Sequence, residues 1–316
     1  GTPWSFFNYN VIDEVQLLPG LFPALRVLAD RPGRPARFLL LGSASPDIRR
    51  QGAESLAGRI AHYALGPLAL DEVGRPALNR LWLRGGLPRS FMARSEAVGA
   101  EWRREFVASF LERDLGQLGF RFPAQTMRRF WTMLAHYHGQ IWNAAEFARS
   151  FGVADTTVRG YLDALSASFL VRQLQPWHEN LGKRQVKSPK IYISDSGLLH
   201  TLLGLETMPQ LQSHPKLGAS WEGFALEIVV RVLGARPEEC FFWATHAGAE
   251  LDLLIVKGGK RLGYEFKFTE APALTPSMKI AFKDLRLDSL QVLHAGQDGF
   301  PLADGVRAVP LAAFKP

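Results

Sequence analysis

Apolar residues along this chain alternate between short unbroken runs and stripes at helical spacing. Phe6 to Ile12 is a run and predicts a strand. Leu18, Leu21, Leu25 and Leu28 then recur at helical spacing across Leu17 to Asp30, and Arg31-Pro32-Gly33-Arg34-Pro35 breaks the pattern. Phe38-Leu39-Leu40-Leu41 is wholly apolar, as in a strand buried within a parallel sheet, and it ends in Gly42-Ser43-Ala44-Ser45. A second break, Gly66-Pro67-Leu68, closes this α/β unit.

Two long amphipathic patterns, Glu101 to Leu118 and Thr126 to His138, predict helices with Arg103, Arg104, Arg128 and Arg129 on solvated faces. Asn143 to Ser150 and Asp155 to Leu165 have helix-turn-helix rhythm, with Gly152 at the turn and Asp155 as N-cap. Phe169 to Leu174 reads as a wing strand, Lys183 to Lys190 as a basic loop, and Ile191 to Asp195 as a strand end. Trp221 to Gly234 is helical, and residues 239–295 are rich in strands. The expected class is α/β. It divides into a partial parallel-sheet unit (1–70), a helical segment (71–140), a winged-helix-like segment (141–190) and an α+β domain (191–316).

The C-terminal strands carry a register argument. Gly258-Gly259 separates Glu250 to Lys257 from Lys260 to Phe268, and a two-residue Gly-Gly loop predicts a hairpin. Lys257 then faces Lys260, Asp252 faces Glu265, and Glu250 faces Lys267. Alternation puts all four of these last residues on one face. Facing carboxylates destabilise a sheet. A divalent cation such as Mg²⁺ or Mn²⁺ would relieve them, with Asp252, Glu265 and Glu222 as ligands and Lys267 as a catalytic cation. The bland alternative is a solvated face with a Glu250–Lys267 ion pair. Asp, then Glu-x-Lys across a hairpin, resembles the PD-(D/E)XK nuclease core.

Near the other end, an apolar strand runs into Asp13-Glu14. That pairing suits nucleotide hydrolysis, with Asp13 on the Mg²⁺ water shell and Glu14 polarising the attacking water. The alternative is an exposed helix start favoured by the dipole. Ser43 or Ser45 would act as a polar sensor, with simple turn chemistry as the alternative, and Arg59 as an arginine finger into a neighbouring copy, or as a plain surface residue. No Gly-Lys-Ser/Thr loop occurs; Gly182-Lys183 and Gly259-Lys260 are each followed by arginine. Thr156, Thr157 and Arg159 open the presumptive recognition helix as candidate DNA contacts.

Composition narrows the classes. A net charge of +7 over 316 residues favours an anionic partner, most simply nucleic acid. One cysteine excludes a disulfide framework and a cysteine zinc site within the chain, and fits a cytoplasmic location. No apolar stretch approaches the roughly 20 residues of a membrane span.

Taken in order, several motifs resemble the AAA+ superfamily ATPases of bacteria and archaea that carry a C-terminal domain of unknown function. They are Val11 to Gln16, Leu41 to Ser45, Ser55 to Arg59, Pro67-Leu68 with Glu72, Arg84 to Pro88, Leu111 to Asp114, Ser194 to Leu198 and the Glu250 to Lys267 hairpin. The resemblance spans essentially the whole chain. It implies an ATPase module, a helical and winged-helix segment and a PD-(D/E)XK-like end. ATP and Mg²⁺ would be cofactors, DNA a partner and a homo-oligomer the assembly. Its phosphate loop is expected well upstream of Asp13, beyond the twelve residues present here. A metal-dependent nuclease with a structural ATPase remnant and a non-enzymatic DNA-binding regulator are the competing readings.

Overall fold

The computed structural model describes residues 10–15, 18–33, 35–42, 56–63, 65–179 and 185–315. At the N-terminal end, β1 (Asn10–Ile12) and β2 (Phe38–Leu40) pair in parallel, with Asn10 opposite Phe38 and Ile12 opposite Leu40. Helix α1 (Phe22–Ala29) connects them and buries Phe22 and Leu25 against Val15 and Leu56. The sequence predicts β2 as fully buried. It is half-buried throughout, and Val11 on β1 is exposed, because the described residues supply just these two strands to the sheet.

Helices dominate the middle: α2 (Leu78–Arg84), α3 (Glu96–Ser109) and α4 (Ala124–His136). Arg103 departs from expectation. It is fully buried on the stripe that also holds Gly99, Ala100 and Val107, and donates to Thr201 Oγ1 and Ser90 Oγ. After the two-residue β3 (Gln140–Ile141) comes α5 (Ala144–Phe151), capped by the Asn143 side chain and ended by left-handed Gly152. In α6 (Asp155–Ala167) the N-cap position falls to Ala154, and Asp155 is the first helical residue, not the cap. An acidic residue there still favours the dipole.

β4 (Val171–Pro176) and β5 (Lys190–Ile193) follow. The wing reading needs amending, since β4 is an interior strand. It pairs antiparallel with β5 and parallel with β6 (Cys240–Ala244), while β5 pairs antiparallel with β3 on its other edge. Helix α7 (Ser196–Leu202) is capped by buried Asp195, which accepts from Leu198 N and Gly86 N. Asp195 thus serves as a cap and a tie. α7 packs so tightly on α2 that a Cβ on Gly197 would lie 2.1 Å from the Arg84 carbonyl oxygen.

The C-terminal part is α8 (Leu217–Val232), β6, β7 (Glu250–Lys257), β8 (Lys260–Lys267), α9 (Pro276–Asp284), β9 (Ser289–His294), β10 (Phe300–Ala303) and β11 (Val306–Pro310). β6, β7 and β8 form an antiparallel meander, and α9 crosses over to β9, parallel to β8. One nine-stranded mixed sheet results, in the order β10-β11-β9-β8-β7-β6-β4-β5-β3. Its central strands are buried on both faces and read as near-continuous apolar runs. Trp82 of α2 meets Trp221 of α8 edge-on at 5.1 Å and donates to Ser220 Oγ, so residues 70–91 share a core with this sheet. Arg172 of β4 forks onto Glu227 of α8 at 2.6 and 2.8 Å. The α/β class holds. No helix among the described residues is long and apolar enough to cross a membrane.

Candidate functional site

The Gly258-Gly259 turn sets the geometry of β7 and β8. Both glycines have positive φ, 58° and 77°, as a type I′ hairpin turn requires. Lys257 pairs with Lys260, and the ladder runs to Leu253 opposite Tyr264, the predicted register. One step further lie Asp252 and Glu265, each only 3% exposed. Lys267 Nζ stands 2.9 Å from Glu265 Oε2 and 3.7 Å from Asp252 Oδ2.

A second ammonium enters from another part of the chain. Lys190, the first residue of β5, is 4% exposed. Its Nζ lies 3.4 Å from Glu222 of α8, 3.7 Å from Asp252 and 4.0 Å from Glu250. Tyr192, two residues along the same strand, donates to Glu222. The facing carboxylates are therefore relieved by two lysines. Among the described residues, no group of three or more His, Cys, Asp or Glu side chains is placed to hold a metal. As arranged, the donors Asp252, Glu265 and Glu222 do not fit a bound cation, because Lys190 stands between two of them. The expected Glu250–Lys267 pair is likewise replaced by Glu250–Lys190.

Lys190 and Tyr192 escape the sequence reading, which leaves Lys190 in a basic loop. The available signal is Lys190-Ile191-Tyr192-Ile193: a strand buried at every position whose polar residues share one face. A buried lysine needs a partner.

The electrostatics follow from burial and neighbours. Burial alone would raise Asp252, yet Lys190, Lys267 and the Phe266 amide, which donates at 3.0 Å, outweigh it and hold Asp252 below the usual carboxylate range. Glu265 goes the other way. Burial and the Asp252 charge push it well above its ordinary value, and its Oε1 is buried without a partner. Glu222 is pushed up to about 7, first by burial and then by Asp252, against the pull of Lys190.

This sets a pH dependence. An unfolded glutamate deprotonates near 4.5, whereas folded Glu222 keeps its proton to about 7. Between those values the folded chain binds more protons, so the contribution of Glu222 to stability falls as pH rises through the window and is level outside it. In urea unfolding, the stability of wild type relative to Glu222→Gln is expected to fall between about pH 5 and about pH 8. A difference that does not move with pH contradicts the assignment.

At the other end, Leu41 N donates to Ile12 O and Val15 N to Leu41 O, locking the carboxyl ends of β1 and β2 together. Asp13 and Glu14 sit at this edge, both exposed. Glu14 takes a positive φ of 49° and donates its amide to Asp13 Oδ1 at 2.9 Å. The carboxyl edge of a parallel sheet is where α/β folds bind ligands. Ser45 lies outside the described residues. Arg59 is paired with Asp30 at 2.6 Å and also donates to Ala57 O. An exposed pair of this kind contributes little and is easily exchanged. Thr156 and Arg159 are exposed at the start of α6, and Thr157 is half-buried.

Comparison with known proteins places these features in a class. Residues 6–74 match the model of an AAA domain, and residues 75–208 and 217–314 match two domains of unknown function, DUF8612 and DUF4143. The N-terminal unit is thus similar to an AAA domain, and AAA domains in general bind ATP and Mg²⁺. An uncharacterized protein of Mycobacterium tuberculosis and one of Mycobacterium bovis are each 55% identical over 299 residues, covering 95% of this chain and 67% of the relative. The chain belongs to the family of these mycobacterial proteins. No solved structure matches it.

Proposed function

We propose that this protein hydrolyses ATP and acts in association with DNA. The observation that carries the reading is the parallel β1–β2 pair, which sets Asp13-Glu14 at the carboxyl edge of the AAA unit. Bound Mg²⁺ and ATP would supply the phosphoanhydride to be cleaved. Asp13 would hold the metal's water shell, Glu14 would orient the attacking water, and Ser45 would sense the terminal phosphate. Arg59, released from Asp30, would complete the site of a neighbouring copy in a homo-oligomer. Supporting the DNA association, the order α4-β3-α5-α6-β4-β5, with β3, β5 and β4 antiparallel, is the order a winged helix would have, here with β4 also joined to β6. In that arrangement Thr156, Thr157 and Arg159 open the recognition helix. Free, buried Cys240 accords with a reducing cytoplasm. The test is whether ATP turnover by the full-length protein depends on Glu14 and on DNA.

A second reading rests on a separate observation. The succession α8-β6-β7-β8-α9-β9, with Glu222 on the helix and Asp252, Glu265 and Lys267 on the hairpin, has the layout of a PD-(D/E)XK nuclease. This reading requires Lys190 to withdraw before Mg²⁺ or Mn²⁺ enters. Plasmid incubated with Mn²⁺ is then expected to be nicked by wild type. Asp252→Ala and Lys267→Ala are expected to lose about 100-fold or more in rate. Equal nicking in all three samples overturns the nuclease reading and leaves the ATPase reading intact.

A further inference from the structure

A cleft of about 880 Å³ opens between the start of α6 and the turn joining β6 to β7. Four basic or imidazole side chains line it, each from a different stretch of chain: Arg159 on α6, His178 after β4, Lys187 before β5, and His246 in the β6–β7 turn. All four are exposed. Among the described residues, none of the four has a hydrogen-bond or ion-pair partner. Several arginines elsewhere are paired, among them Arg59 with Asp30, Arg84 with Glu96, Arg104 with Glu206, Arg172 with Glu227 and Arg261 with Glu179. Among the described residues, Asp155 is the one acidic side chain lining the cleft.

Trp142 also lines the cleft and is 3% exposed. Two unpaired cations, Arg159 and Lys187, and two imidazoles around a concavity call for an anion with several acceptor oxygens.

We propose that this cleft holds the phosphodiester backbone of a nucleic-acid strand, gripped jointly by α6 and the β6–β7 turn. This rests on the DNA-association reading and specifies its contact surface. The cleft is large enough for a stretch of chain, well beyond one phosphate group, and it lies beside the carboxylate–lysine cluster. Lys187 is three residues from Lys190, and Ile141 in the cleft wall pairs with Lys190 across β3 and β5. The contact is composite. Recognition-helix residues alone do not make it, because His246 comes from the C-terminal hairpin meander.

The test is fluorescence anisotropy with a labelled DNA duplex and the corresponding single strand, using the full chain. Arg159→Glu with Lys187→Glu is expected to weaken binding by about 30-fold or more and to reduce the slope of log affinity against log salt by about 2. Lys279→Glu with Lys283→Glu, on the exposed face of α9, makes the same charge change outside the cleft and is expected to weaken binding far less. Equal losses in the two double variants overturn the cleft and leave DNA association standing. No binding by wild type overturns both. Binding of inorganic pyrophosphate that Arg159→Glu with Lys187→Glu abolishes, in a protein that binds no DNA, overturns the proposal of a nucleic-acid strand. Arg159→Gln with Lys187→Gln repeats the comparison without reversing charge, and a loss under about threefold there also overturns it.

Discussion

Lys190→Met is expected to destabilise the protein by about 3–5 kcal/mol, the usual consequence of removing one partner from a buried ionic group. Lys190 is 4% exposed and within 4.0 Å of carboxylates on Glu222, Glu250 and Asp252. Methionine keeps the length and apolar stem of the side chain and removes only its charge and donors. Glu222 answers by holding its proton more firmly, while Asp252 keeps the compensation of Lys267 and the Phe266 amide. The penalty is thereby partly relieved at Glu222. Adding Glu222→Gln to Lys190→Met should therefore cost less than the sum of the two single changes, by about 1 kcal/mol or more. Urea midpoints of the wild type, both single variants and the double variant give that coupling. A single-variant loss below about 1 kcal/mol, or strict additivity, means Lys190 is not the counter-charge of this cluster.

What the sequence disclosed here, and what it hid, have separate physical causes. A two-residue glycine turn leaves one register, so the Asp252–Glu265 juxtaposition is readable from numbering alone. The parallel β1–β2 unit is readable because short apolar runs separated by one helix have few other ways to pair. Lys190 is hidden because its partners lie 32 to 62 residues away, on α8 and β7, and local pattern carries nothing about which strand will lie beside them. Without it, the repulsion between Asp252 and Glu265 suggests a metal; with it, the cluster is neutralised from within. Arg103 misleads for a related reason. Arginine on an amphipathic helix usually faces water, yet here its position coincides with the stripe of Gly99, Ala100 and Val107, whose small side chains leave room for it. β4 misleads because a strand after two helices resembles a free wing until β6, about 70 residues later, pairs with its far end.

The second large effect concerns the N-terminal edge. Glu14→Gln preserves size and the Glu14 amide contact with Asp13, and removes only the carboxylate that would polarise water. Loss of a positioned base of this kind costs about 100-fold or more. Glu14 is exposed at a strand end, and an exposed change of this size usually alters stability by less than about 0.5 kcal/mol. The most direct measurement is ATP turnover by the full-length protein, wild type against Glu14→Gln, each with and without duplex DNA. The account predicts wild-type turnover that DNA raises, and loss of about 100-fold or more in Glu14→Gln under both conditions. Equal turnover in the two proteins, or wild-type turnover indifferent to DNA, would contradict it.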